Sequence, residues 1–211
     1  MLNSEMKREL QGFLKQDAAH KDVTSALMPR HKCKAVIKAQ EACVLAGIEE
    51  AVWLFSSRGI RAKALKKDGQ QVAKDTIVMR LAGENRKILS TERTALNVMG
   101  RMSGVATACA DAVKEARRVG KTRIALTRKT SPGFRHFDKK AAIIGRALPH
   151  RMNLAERILI KENHLHFFRS VSKAVALIRK PAKAEIEVEN LKQALEAAGS
   201  PIGTVSYTHL T

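Results

Sequence analysis

Thr127-Arg128-Lys129-Thr130-Ser131-Pro132-Gly133-Phe134-Arg135 gathers three cations, several hydroxyls and a Pro-Gly turn within nine residues. It follows Ile124-Ala125-Leu126, an apolar run that predicts a buried strand. His150-Arg151, Lys161 and His164 stand in similar positions after other apolar runs. Cations fixed at strand ends suit a ligand with several negative charges, because oriented guanidinium and ammonium groups replace its water. The chemistry implied is enzymatic work on a small, phosphorylated anion. Plainer alternatives exist for each residue. Arg128, Lys129 and Arg135 would be solvated charges on a basic surface. His150 would be structural, and Lys161, which ends Ile158-Leu159-Ile160, would snorkel to water. Asn163 and His164 would cap the next element.

Glu185, Glu187 and Glu189 alternate, so one strand shows all three on one side. In a basic chain such a face binds Mg²⁺, pairs with lysines, or faces water from an edge strand. Glu92 and Arg93 open a helical stretch, with Asn97 one turn on. No Walker loop, dinucleotide fingerprint or serine nucleophile elbow is present.

The elements that must position these groups fall into two patterns. From the N-terminus, an amphipathic helix is predicted over Ser4–Gln16, then a loop over Asp17–Arg30. A strand over Cys33–Ala39 puts Cys33, Ala35 and Ile37 on one face. A helix over Ile48–Ser56 would bury Val52, Trp53 and Phe55. Strands follow at Ile60–Leu65 and Thr76–Leu81, separated by the turn Lys67–Gln70. This is a small α+β domain. Lys87–Arg118 is helical, and Gly100, Ser103 and Gly104 predict a break into two helices or a kinked pair. Strands and helices then alternate: strands at Thr122–Thr127, Arg157–Lys161 and Ala184–Val188, helices from Asp138–Ile144, Val171–Ile178 and Leu191–Ala198. That is a βα repeat, whose ligands sit at the carboxyl ends of the strands. The expected fold class is therefore α/β: an α+β sandwich domain followed by an incomplete, atypical α/β barrel. The expected domains are 1–100, a sandwich with the start of the helical bridge; 101–198, a partial barrel; and 199–211, a non-native tail. Three βα units are too few to close a barrel and leave sheet edges open, so the chain is expected to be truncated.

The chain of 211 residues carries 39 Lys and Arg against 20 Asp and Glu, a net charge of +19. Such a charge suits an anionic ligand or nucleic acid. Six Phe, one Tyr and one Trp give no stacking stripe, and no zinc-finger spacing exists, so nucleic-acid binding reduces to non-specific attraction. No run of about eighteen apolar residues predicts a membrane span, and the first residues lack an apolar signal core. A cytoplasmic location is the expectation. Cys33, Cys43 and Cys109 are odd in number without a close pair, which predicts reduced thiols.

Several segments, taken together and in order, resemble the quinolinate phosphoribosyltransferases, also called carboxylating nicotinate-nucleotide pyrophosphorylases. They are Ser90-Thr91-Glu92-Arg93-Thr94-Ala95-Leu96-Asn97, Met102-Ser103-Gly104-Val105-Ala106-Thr107, the Thr127–Arg135 block, His150-Arg151, Ile158–His164 and Glu185–Leu191. The resemblance covers roughly residues 10 to 198. It implies transfer of phosphoribosyl from phosphoribosyl pyrophosphate to quinolinate with loss of CO₂, giving nicotinate mononucleotide and pyrophosphate, with Mg²⁺, in NAD synthesis. It implies a homodimer in which Arg93 crosses the interface to quinolinate. Arg128, His150, Arg151 and Lys161 would bind the two carboxylates and the phosphate. Lys129 and Glu187 would lie near the ribose and pyrophosphate, with Glu187 a metal contact through water. Gly145-Arg146-Ala147-Leu148-Pro149 departs from the family's glycine triplet and resembles homologues found with molybdate transport genes, the alternative within the family. The metal-site aspartate and glycine-rich phosphate loops of the later strands have no counterpart here. The resemblance therefore implies an impaired fragment.

Overall fold

The computed structural model describes residues 2–17 and 22–207. The chain divides into two compact units between His150 and Arg151.

The first unit opens with α1 (Ser4–Asp17), which buries Met6 and Leu10. A 3-10 turn covers Ser25–Leu27; residues 18–21 of the predicted loop lie outside the described residues. Strands β1 (Lys32–Lys38), β3 (Arg61–Ala64) and β5 (Ile77–Glu84) form an antiparallel sheet with β5 in the centre. On β1, Cys33, Ala35 and Ile37 face inward as their alternation predicts, and Lys32, Lys34, Val36 and Lys38 are exposed. Two-residue strands β2 (Cys43–Val44) and β4 (Gln71–Val72) pair separately. Helix α2 (Ile48–Ser57) buries Ala51, Leu54 and Phe55. Val52 and Trp53 are only half-buried, because the face toward the core runs through 48, 51, 54 and 55.

The predicted break at Gly100–Gly104 is absent: α3 runs unbroken from Asn85 to Val119. Ser103 explains this. It is buried, its Oγ donates to the Ala46 carbonyl at 3.1 Å, and it accepts from the Ala46 N–H at 3.0 Å. One turn later Thr107 Oγ1 accepts from the Val44 N–H. Tertiary bonds thus outweigh the low helix propensity of Gly and Ser. Helix α4 (Arg135–Ile144) packs on α3. The predicted strand at Thr122–Thr127 is not one. Only an isolated parallel bridge joins Ala125 to Leu148, and Ala125 is exposed while Ile124 and Leu126 are half-buried. With no second consecutive bridge beside it, this contact does not extend into a strand.

The second unit is a parallel sheet in the order β6 (Leu159–Ile160), β7 (Glu185–Val188), β8 (Thr204–Tyr207). Between β6 and β7 lie α5 (Glu162–Phe168), α6 (Val171–Ala176) and a 3-10 turn at Pro181–Lys183; α7 (Leu191–Ala198) precedes β8. Asn163 and His164 lie inside helix α5, in its first turn. Ile160, Leu165, Val171, Val175, Ile186 and Val188 form the core. Strand β7 is central, so its glutamates do not lie on an edge. Segment 204–207, expected as tail, pairs in register with β7. The antiparallel sheet with helices and the parallel βα layers together make a mixed α/β fold.

Candidate functional site

In the first unit, cations collect where the bridged segments end. Leu126 donates its N–H to the Leu148 carbonyl, and Leu148 to the Ile124 carbonyl, each at 2.8 Å. The residues that follow are Thr127-Arg128-Lys129 on one side and Pro149-His150 on the other. Arg128 is half-buried, and its Nε is shut from water without a partner among the described residues. A buried unpaired donor costs about 1–3 kcal/mol, more when charged, which a ligand carboxylate would recover. Lys129 is exposed; its N–H donates to Thr127 Oγ1 at 3.2 Å, tightening the turn. His150 is half-buried and left-handed, with φ 52°. The loop then closes through a Ser131 carbonyl to Phe134 N–H turn, with Gly133 at φ 73°. Phe134 anchors it, stacking on Phe13 at 5.3 Å and meeting Phe137 at 5.0 Å.

Helix α4 fastens this loop in four directions. Asp138 accepts both arms of the Arg101 guanidinium on α3, at 2.7 and 2.8 Å. Lys140 reaches α2, with Glu49 at 2.6 Å and Glu50 at 2.7 Å. His136 faces Glu9 through Nδ1 at 3.1 Å and Glu5 through Nε2 at 3.6 Å. Lys139, fully buried, donates to the carbonyls of Leu126 and Pro149. Burial pushes the Glu50 carboxyl up, and does the same to nearby Asp68. Glu49 is pushed up by its own burial, but hydrogen bonds from Lys140 and the Leu2 N–H outweigh this and hold it low. Lys140 likewise stays high, its burial outweighed by hydrogen bonds to both glutamates.

In the second unit Lys161 follows β6 directly and Glu187 lies on β7. Their side chains meet at 2.8 Å, with Glu187 16% exposed. The pairing reading of the acidic face therefore holds for Glu187. Glu185 shares its face, while Glu189 lies beyond the strand and is exposed. His164 Nδ1 accepts from the Lys161 N–H at 3.0 Å, so its ring caps α5. Arg151 is buried and donates to the Arg157 carbonyl at 3.1 Å. Arg93 is exposed on α3 with no hydrogen bond or ion pair among the described residues. Structure thus joins Lys161 to Glu187 and brings the Arg128 and His150 segments to one edge; it makes no contact from Arg93 to these groups within the first unit.

The buried charges Glu50, Asp138 and Lys139, and the half-buried Lys140, are not found by the sequence reading. For the two lysines the signal is a Lys-Lys pair at 139–140 among Phe137, Ala141 and Ala142, which places charge inside an apolar helical stretch. Glu5, Glu9 and His136 bring three ligand atoms within 4.8 Å. The two imidazole nitrogens face different carboxylates there, so both ring nitrogens are already engaged by protein groups. Mg²⁺ prefers one or two carboxylates plus substrate phosphate oxygens. Glu187 offers one such oxygen donor, so the residues fit only a mode in which a phosphorylated substrate completes the coordination. Among the described residues no helix is long and apolar enough to cross a membrane.

Comparison with known proteins agrees with this architecture. The family model for the quinolinate phosphoribosyl transferase N-terminal domain matches residues 22–103, and that for the C-terminal domain matches residues 105–205. A relative from Archaeoglobus fulgidus, described as a probable carboxylating nicotinate-nucleotide pyrophosphorylase, is 41% identical over 179 residues, 84% of this chain and 69% of its own length. Its counterpart from Methanocaldococcus jannaschii is 36% identical over 203 residues, 93% of this chain and 71% of its own length. The solved nicotinate-nucleotide pyrophosphorylase of Francisella tularensis superposes with a TM-score of 0.89 at 31% identity, covering 100% of this chain and 76% of that one. The chain belongs to the quinolinate phosphoribosyltransferase family.

Proposed function

We propose that this chain transfers phosphoribosyl from phosphoribosyl pyrophosphate to the quinolinate nitrogen and releases CO₂, a step of NAD biosynthesis. The C1′–O bond to pyrophosphate breaks as the N–C1′ bond forms. The ring carbon then loses its carboxylate as CO₂, the electron pair is stabilised by the pyridinium, and solvent supplies a proton. Arg128, His150 and Arg151, with Arg93 donated by a partner copy in a homodimer, hold the quinolinate carboxylates. Lys161 and Lys129 serve the phosphate and pyrophosphate charges. Glu187 stabilises the positive character that develops at the anomeric carbon. Mg²⁺, entering with phosphoribosyl pyrophosphate and held by Glu187 through water, would neutralise the departing pyrophosphate. The free thiols Cys33, Cys43 and Cys109 suit a reducing compartment such as the cytoplasm.

The observation that carries this reading is the Nε of Arg128, buried without a partner among the described residues at the end of a bridged segment. A planar dicarboxylate meets such a fork with charge-assisted bonds. The named relatives favour quinolinate over the molybdate-linked alternative. Calorimetric titration with quinolinate tests it, alongside release of labelled CO₂ with phosphoribosyl pyrophosphate and Mg²⁺. Losing one charged hydrogen bond costs about 1.5–3 kcal/mol, so Arg128→Met should weaken quinolinate binding by about 10- to 150-fold. Absence of quinolinate binding by the folded wild-type chain would overturn the proposal.

A further inference from the structure

Helix α4 carries a lysine that none of these roles uses. Lys139 is 1% exposed. Its ammonium donates to the Leu126 carbonyl at 2.5 Å and to the Pro149 carbonyl. These two residues immediately precede the cationic stretches, Thr127-Arg128-Lys129 after one and His150 after the other. The backbone alone joins the two segments weakly, through the single bridge between Ala125 and Leu148. In a parallel ladder the Leu126 carbonyl would carry the next bond; here it accepts from the buried ammonium. His150 then turns away at φ 52°.

Burying an ammonium is expensive unless its donors are used. A methionine would fill similar space without that cost. What the ammonium adds is two directed, charge-assisted bonds where the backbone bonds stop. Arg128 has a further need of them. Its Nε has no partner among the described residues, so the guanidinium depends on the backbone beneath it for its position. We infer that Lys139 is a positioning residue: by clamping the Leu126 and Pro149 carbonyls together, it fixes Arg128 and His150 at one edge for an anionic ligand. It does not itself touch that ligand. The identity of the ligand as quinolinate rests on the function proposed above.

The test compares wild-type chain with Lys139→Met and Lys139→Gln by ¹H–¹⁵N spectra without ligand, then by quinolinate titration. In Lys139→Met the Arg128 Nε–H and the amides of Thr127, Arg128 and His150 should shift or broaden, while β1 and β3 signals stay in place. The quinolinate Kd should rise at least tenfold, and Lys139→Gln, which keeps a neutral donor, should rise less. A general loss of stability would not single out those resonances. Unchanged Arg128 and His150 signals in a folded Lys139→Met, or a quinolinate Kd within twofold of wild type, would overturn the inference. If Lys139→Met does not fold, Lys139→Gln carries the comparison; if neither folds, Lys139 is a folding residue and the inference falls. If the wild type itself binds no quinolinate, the proposed function fails, and the ligand-free spectra still decide the role of Lys139.

Discussion

Replacing Lys140 by methionine removes the positive charge facing Glu49 and Glu50. The two glutamates differ sharply: the Glu50 side chain is 0% exposed, while that of Glu49 is 37% exposed. Glu49 can regain water; Glu50 cannot, and its Oε2 already lacks a partner among the described residues. Breaking a buried pair from one side costs about 3–5 kcal/mol, because the remaining charge is left uncompensated. For a chain of this size each kcal/mol lowers the melting temperature by about 2–4 °C, so a drop of about 6–20 °C is expected. Unfolding is followed in urea and by heating through Trp53, which sits on α2 beside this pair. The pH dependence identifies the cause. Burial already raises Glu50 in the folded state, and losing Lys140 raises it further. A carboxyl raised by folding destabilises above its unfolded value and is relieved as pH falls toward it. The gap between Lys140→Met and wild type should therefore narrow from pH 8 to pH 5. Glu49, held low, contributes stability above its unfolded value of about 4.3 and loses it only below that, outside this window. Adding Glu50→Leu should restore most of the loss, since an apolar residue of similar size needs no counter-charge. A destabilisation below about 1 kcal/mol, or a gap constant across pH 5–8, would refute this account of the buried pair.

Gly145 ends α4 against α3, where an added Cβ would lie 2.4 Å from the Ala106 carbonyl oxygen and 2.7 Å from Cys109 Cβ. Gly145→Ala should cost about 1–3 kcal/mol through overpacking, and an unchanged melting temperature would show that α4 can shift freely. In the second unit, Asn190 caps α7 by accepting from the Gln193 N–H at 3.0 Å. Asn190→Ala should cost about 1 kcal/mol, read as a lower urea midpoint of the helix signal with unchanged slope.

How far the sequence reveals this protein depends on where each signal resides. Helix α7 is found at its observed limits, because an apolar period is a local property. The inward face of β1 is read the same way. Strands β2 and β4 escape, since two residues carry no period. Ile124-Ala125-Leu126 looks like a strand, yet pairing is a tertiary property, and one bridge is all it makes. The glycines of α3 mislead because the compensating bonds, Ser103 to Ala46 and Thr107 to Val44, come from residues about 60 positions away in sequence. Among the candidate residues, charge following apolar runs picks out Arg128, His150 and Lys161, and strand alternation picks out Glu187, which the structure pairs with Lys161. Lys139 is not, because only the fold brings two carbonyls to its ammonium.

The unbroken course of α3 has a mechanical consequence. The two family domains meet between residues 103 and 105, inside a helix of 35 residues. A hinge needs residues that can absorb changes in φ and ψ, and here the i to i−4 bonds and the Ser103 contacts to Ala46 forbid it. The boundary between sequence domains is thus a stiff shaft rather than a joint. Arg93 and Val113, on opposite sides of that boundary, are about 30 Å apart along it at 1.5 Å per residue. The helix acts as a lever: a tilt of about one degree pivoting near Val113 carries Arg93, about 30 Å away, through about 0.5 Å.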